Sequence, residues 1–350
     1  MNTYKKRFIT LVSTAFLVPA SLIGTNYILD PSEIYHKSFF REKCSVFDSI
    51  EKNAGYINHY LDDYNAVVLG SSLSLNFDLD LLKELTGKDF FMTAASGLKS
   101  KAITMIARRL FEKDAQNRIQ TVYWELYHQK MLSGDVIKDN FAMYLLNDDV
   151  TDDLPYLMSF KTLKNGFKVA KKQCSSGKYT GWRYDKDHEK TAARYRSPEN
   201  VAALNERIAE NQKRLADYEA RFVDVPSVSQ EIIPLIRKYP NKRYVFYVAP
   251  TDLADITDLS AQELNAYFSM IDLLLKEAEN GADIKIYAAV WNKDLIMNAA
   301  QYRDDQHYIG TVNDDMVHEI TREKRMLTPE NFASFVREMT DWIKHGKMHV

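Results

Sequence analysis

Two short stretches of this sequence carry residue types and spacings that suit chemistry: Gly70-Ser71-Ser72, and far along the chain Asp304-Asp305-Gln306-His307. A serine hydroxyl is a weak nucleophile. It attacks a carbonyl when an imidazole takes its proton and a carboxylate orients that imidazole. Ser72 offers the hydroxyl, His307 the base, and Asp304 or Asp305 the carboxylate. The amide of Gly97, in "AASGLK", offers a donor for the oxyanion that such an attack creates. Taken singly, each residue has an ordinary role. Ser72 can cap the following helix, Gly97 can serve a turn, and His307, Asp304 and Asp305 can be solvated loop residues. The chemical reading gains weight because all of them fall at one kind of place, the carboxyl end of an expected strand.

Those strands follow from the hydropathy pattern. "NAVVLG" (65–70), "DFFMTAAS" (89–96), "RIQTVYWEL" (118–126), "RYVFYVAP" (243–250) and "DIKIYAAV" (283–290) are short, apolar and rich in strand formers. Between and after them lie helical patterns at 79–87, 98–113, 260–279 and 329–346. Such alternation predicts a parallel sheet covered by helices on both faces. In that architecture, sites form beyond the carboxyl ends of the strands.

The block from about 128 to 230 breaks the alternation. It contains a long charged helix at 200–222, whose Leu204, Ile208 and Leu215 make a thin apolar stripe. It reads as a mainly helical insertion on the core domain. Its "HEKTAARYR" is a basic, polar face, with anionic glycan or lipid headgroups as the alternative ligands. Tyr123, Trp124 and Trp291 lie at or near strand ends, where aromatics either pack in the core or stack on sugar rings.

The order of the blocks resembles the SGNH hydrolase superfamily. It is more closely similar to the membrane-anchored SGNH-like proteins linked to O-acetylation of bacterial cell-surface polysaccharides. In that superfamily Gly-x-Ser follows the first strand, a glycine follows the second, and Asp-x-x-His comes near the C-terminus. Gly70-Ser71-Ser72, Gly97 and Asp304 to His307 match these positions, which makes Ser72 rather than Ser71 the nucleophile. The Asp-x-His spacing seen in some related acetyltransferases keeps Asp305 as the alternative to Asp304. The resemblance covers roughly 62–127 and 240–345, with the anchor and stem also similar. It implies a flavodoxin-like three-layer α/β/α fold with a five-stranded parallel sheet.

The resemblance further implies a serine-dependent O-acetyltransferase or esterase that uses no cofactor and no metal. Its expected partners are an exported polysaccharide and a multi-span membrane acyltransferase that supplies acetyl groups. One block departs from the pattern. Where the superfamily has Gly-x-Asn after strand three, this chain has "YWELYHQ", with Glu125 and Tyr127 at the matching positions. Losing one oxyanion donor typically costs about 10²–10³ in rate. The amides of Ser72 and Gly97 remain as donors, with Tyr127 or His128 as substitutes. This departure supports a second expectation from another class, a catalytically weak glycan-binding or scaffold subunit of an export complex.

The N-terminus points to a compartment. Lys5, Lys6 and Arg7 precede an uncharged, mostly apolar run from Phe8 to about Leu29. That is about the 20 residues a bilayer core requires. Basic residues ahead of the span predict a cytoplasmic N-terminus. Pro19-Ala20-Ser21 offers a cleavage site, but the apolar run continues past it, so an uncleaved signal anchor is expected. The expected division is an anchor at 1–30, a stem at 31–60 and a globular domain at 61–350. The charge pattern puts that domain on the outer face of a membrane, and the resemblance implies the periplasmic side of the inner membrane.

Bulk properties are consistent with this and exclude other classes. A length of 350 residues with 45% hydrophobic composition supports a large core. A net charge of -2 gives no electrostatic footprint for nucleic acid. Two cysteines, Cys44 and Cys174, leave room for one disulfide and for no metal cluster.

Overall fold

A computed structural model describes residues 3–37, 50–127, 142–171 and 186–350. Cys44, Cys174 and His128 lie outside them, and so do the pairing and donor roles considered for those residues. Helix α1 (Thr3–Leu29) is long and apolar enough to cross a membrane, and the rest of the protein covers none of its apolar window. Helix α2 (Ile50–His59) turns Ile50, Tyr56 and Ile57 into the core. The end of the expected stem is therefore part of the domain.

The strands form where the apolar runs predict, trimmed at their ends: β1 (Ala66–Gly70), β2 (Phe90–Ala94), β3 (Thr121–Leu126), β4 (Arg243–Val248) and β5 (Ile284–Ala288). Every residue of β1, β2 and β3 is buried, as continuous apolar runs require of strands covered on both faces. These five pair in parallel in the order β2-β1-β3-β4-β5. A sixth strand, β6 (Met326–Leu327), adds an antiparallel edge beside β5, so the sheet is mixed rather than the five-stranded parallel sheet expected. The chain reverses just before β6 through Glu323 and Arg325, both left-handed at φ 54° and 51°. Neither residue type signals that turn, so the pattern hides the extra strand.

Helices α3 (Leu79–Thr86) and α4 (Ser100–Lys113) carry the first two crossovers. The insertion is helical where it is described: α5 (Leu154–Leu157), α6 (Phe160–Lys171), α7 (Lys186–Tyr195) and α8 (Pro198–Arg214). Helix α8 is shorter than the expected 200–222. It ends where Leu215 and Tyr218 turn inward, and Arg214 donates to the carbonyls of Thr257, Asp258 and Leu259. Helix α9 (Ile233–Lys238) leads into β4. Then come α10 (Leu253–Thr257), α11 (Ala261–Glu279), α12 (Lys293–Ile296), α13 (Gly310–Thr321) and α14 (Pro329–His345). Helix α3 packs with α13, whereas α11 packs with α14. Strand order reverses between β1 and β3, which places the crevice of such a sheet at their carboxyl ends.

Candidate active site

Strand β1 delivers its last residue, Gly70, to this crevice, and the chain then folds into a tight turn. Ser71 is fully buried and Ser72 half-buried. Ser72 does not cap α3. That role falls to Asp78, whose carboxylate accepts the amides of Asp80 and Leu81. The Ser72 hydroxyl instead lies 2.9 Å from His307 Nε2.

His307 reaches this position on a short loop with two anchored legs. Tyr302 and Tyr308 bridge to each other and are fully buried. The Tyr308 hydroxyl donates to the Leu73 carbonyl at 3.4 Å, which ties the loop to the serine turn. Within the loop Asp304 Oδ1 accepts the amides of Gln306 and His307 at 3.0 and 2.7 Å. The same carboxylate lies on the imidazole, with His307 Nδ1 at 2.8 Å from Oδ1 and 3.1 Å from Oδ2. Local backbone bonds therefore fix the carboxylate that faces the ring. Burial pushes the Asp304 carboxyl up, but its bonds to His307 and the imidazole charge outweigh that and hold it below its usual value.

Asp305 faces a different neighbourhood. Burial and the nearby carboxylates of Asp255 and Asp304 push its carboxyl up. Asp252, on the same side, is buried beneath Tyr195 of the insertion, whose hydroxyl donates to it. Its carboxyl is pushed up to about 7.

Gly97 stands just past β2 with φ 80°. Because Gly70 pairs with Ala94, the segment that holds Gly97 leaves the sheet next to the strand end that leads into the serine turn. Neither the Ser72 amide nor the Gly97 amide is bonded to an acceptor among the described residues.

The β3 side of the crevice was not legible in full. Glu125 is 1% exposed and organises the serine turn from below. Its Oε1 accepts the Ser71 hydroxyl at 2.5 Å, and its Oε2 accepts the Ser71 amide at 2.9 Å. Oε2 also accepts the Ser74 hydroxyl, which in turn meets the Tyr247 hydroxyl at 2.6 Å. A glutamate inside an apolar strand pattern was the available signal, since a buried carboxylate requires partners.

The roles expected of Tyr127, Trp124 and Tyr123 need correction. The Tyr127 hydroxyl is buried and donates to Asp255 at 2.9 Å, so it is committed to a carboxylate rather than presented to an oxyanion. Trp124 is fully buried against Phe246 and offers no face to a sugar. Trp291 packs edge-on to Phe335 and donates to Glu338 at 3.0 Å. Tyr123 likewise packs on Phe90. Tyr123 and Trp124 are part of the core, because both faces of the sheet are covered there, whereas Trp291 is half-buried at the core's edge.

The arrangement is that of a hydroxyl, an imidazole and a carboxylate hydrogen-bonded in series, on a turn whose Ser72 amide has no acceptor among the described residues. Such a set can attack an ester, carry the proton and stabilise the oxyanion. No protein-family model matches the chain, and no curated protein matches it in sequence, so its assignment rests on this geometry.

Proposed function

We propose that the chain is an SGNH-like acyl-ester enzyme working at a membrane surface. The observation that carries this reading is the unbroken hydrogen-bonded series Ser72–His307–Asp304 at the switch point of the sheet. In the first step the Ser72 oxygen attacks an ester carbonyl and its proton passes to His307 Nε2. Asp304 accepts from Nδ1, which holds the tautomer and stabilises the imidazolium. The amides of Ser72 and Gly97 donate to the oxyanion. As the intermediate collapses, His307 returns the proton to the departing alcohol and Ser72 is left acylated. A sugar hydroxyl or water then loses its proton to His307 and attacks the acyl carbon, releasing Ser72.

The acyl group is acetyl and the acceptor an exported cell-surface polysaccharide in this reading. The domain lies on the periplasmic side of the inner membrane, and a separate multi-span acyltransferase supplies the acetyl group. A fluorophosphonate probe tests the central claim without knowledge of the substrate. The purified full chain in detergent should label covalently, and Ser72→Ala should not. A wild-type chain that stays unlabelled would refute the nucleophile.

One observation favours a second reading, a glycan-binding or scaffold subunit. The position expected to hold an oxyanion asparagine is taken by Tyr127, whose hydroxyl is bonded to Asp255. Absence of labelling combined with retained binding to polysaccharide would favour it.

A further inference from the structure

Helix α6 lies against the end of α1. Asn26, in the last turn of α1, donates to the carbonyls of Leu157 and Ser159 at 2.7 and 3.0 Å. Gly166 of α6 admits Leu29: a β-carbon there would stand 2.8 Å from Leu29 Cβ. The uncharged part of α1 runs from Phe8 to Leu29, about 33 Å at ~1.5 Å per residue. This matches a hydrocarbon core of about 30 Å. With Arg7 outside one boundary and Asp30 outside the other, Leu29 sits at the edge of the core. Whatever packs on Leu29 sits at that depth too.

The outward side of α6 is built for that depth. Phe160, Leu163 and Phe167 recur at i, i+3 and i+7, so they form one ridge. Phe160 and Phe167 are 74% and 50% exposed, and Leu154 and Met158 beside them are also exposed. Lys161, Lys164 and Lys168 form the adjoining ridge, all exposed. Thr162 and Gly166 face inward. In water this is an apolar ridge that no partner covers among the described residues. At a bilayer edge it is an amphipathic interfacial helix, with phenylalanines below the headgroups and lysines among them.

We propose that α6 lies in the headgroup layer of the bilayer that α1 spans, with its lysines on anionic phospholipid. The inference rests on α1 being a membrane span. Continuity with the span selects lipid over a protein partner, because a partner would have to enter the same layer. The lysine ridge selects anionic lipid. The helix gives the domain a second attachment and so sets its tilt above the membrane.

Spin labels test this on the full chain with Cys44→Ser and Cys174→Ser, one copy per lipid nanodisc. Labels are placed singly at Phe160→Cys, Phe167→Cys, Phe16→Cys in the span, and Glu279→Cys on an exposed part of the domain. In discs containing phosphatidylglycerol, the Phe160 and Phe167 labels should be shielded from a water-soluble nickel relaxant and accessible to oxygen. Their shielding should weaken in discs of phosphatidylcholine alone, and also when Lys161, Lys164 and Lys168 are all changed to Gln. Labels at 160 and 167 as nickel-accessible as that at 279 would overturn the proposal while leaving the span intact. Equal shielding in neutral discs would overturn the anionic assignment. A nickel-accessible label at Phe16 would instead refute the span itself.

Discussion

The Ser71 hydroxyl donates to Glu125 at 2.5 Å while the next residue, Ser72, turns the opposite way to meet His307 at 2.9 Å. Two adjacent serines thus have opposite duties. One is sunk into a buried carboxylate and the other faces the crevice. Their division sets the first prediction. Ser72→Ala should abolish probe labelling and any acyl transfer and cost about 1 kcal/mol or less of stability, the loss of one part-buried hydrogen bond. Ser71→Ala should keep labelling but lose about 1–3 kcal/mol, because a buried acceptor is left short of a donor. Labelling and urea melts of the two variants check this. The reverse result would move the nucleophile to Ser71.

Glu125 should behave as a positioning residue. Glu125→Ala strands the hydroxyls of Ser71 and Ser74 and the Ser71 amide, at a cost of about 2–4 kcal/mol. Probe labelling of Ser72 should slow in proportion to the disorder of the turn. Glu125→Gln keeps the shape and, with its oxygen in the place of Oε2, still accepts the Ser71 amide and the Ser74 hydroxyl while its NH2 donates to the Ser71 hydroxyl, and it should recover most of the labelling rate. A Gln variant as slow as the Ala variant would point to a role for the charge itself.

Gly70→Ala should disrupt the same turn. A β-carbon there would stand 1.7 Å from Ser74 Oγ and 2.6 Å from Glu125 Oε2. Both atoms are held in the buried network, so the turn has to shift. A loss of about 1–3 kcal/mol is expected from such overpacking. Thermal melts read it, and an unchanged melting temperature would show that the network yields freely.

Asp304→Asn and Asp305→Asn separate the two carboxylates. The first keeps the shape but spoils the imidazole tautomer, and should lower turnover on the order of 10⁴-fold. The second removes a charge that faces Asp255 rather than the ring, and should leave turnover almost unchanged. The labelling rate of Ser72 is the readout for both.

Asp252 should make the fold less stable as pH rises. Its carboxyl is pushed up to about 7, chiefly by burial, against the opposing bonds from Tyr195 and the Asp255 amide. In the unfolded chain it ionises near 3.9. The folded state therefore binds the extra proton between those values. Its stabilising contribution is full below about 4 and is lost as pH climbs to about 7. Asp252→Asn, which retains a cap for the α10 amide, should shrink the difference between urea melts at pH 5 and pH 8. An unaltered difference would place the titration elsewhere.

Some of these relationships are local, and the sequence by itself determined them. Asp304 and His307 are three residues apart, so one turn, closed by backbone bonds to Asp304, brings carboxylate and ring together. The apolar runs determined five strands because a strand covered on both faces has no polar side to show. The uncharged stretch from Phe8 to Leu29 determined a helix of spanning length for the same kind of reason.

What joins distant segments was decided only by the tertiary structure. Ser72 and His307 are 235 positions apart, and they meet because β1 ends at the switch point and the Tyr308 hydroxyl pins the histidine loop to Leu73. No periodicity encodes that meeting. Glu125 reads in sequence as a misplaced charge in a strand. Only register with β1 and β4 shows that it sits under Ser71 and Ser74 and satisfies them. Trp124 and Trp291 look alike as strand-end aromatics, yet whether a ring meets solvent depends on which helices cover it. Local pattern determines the conformations that a segment prefers. Chemistry between segments depends on where the chain's other parts are packed, and that is a property of the whole core.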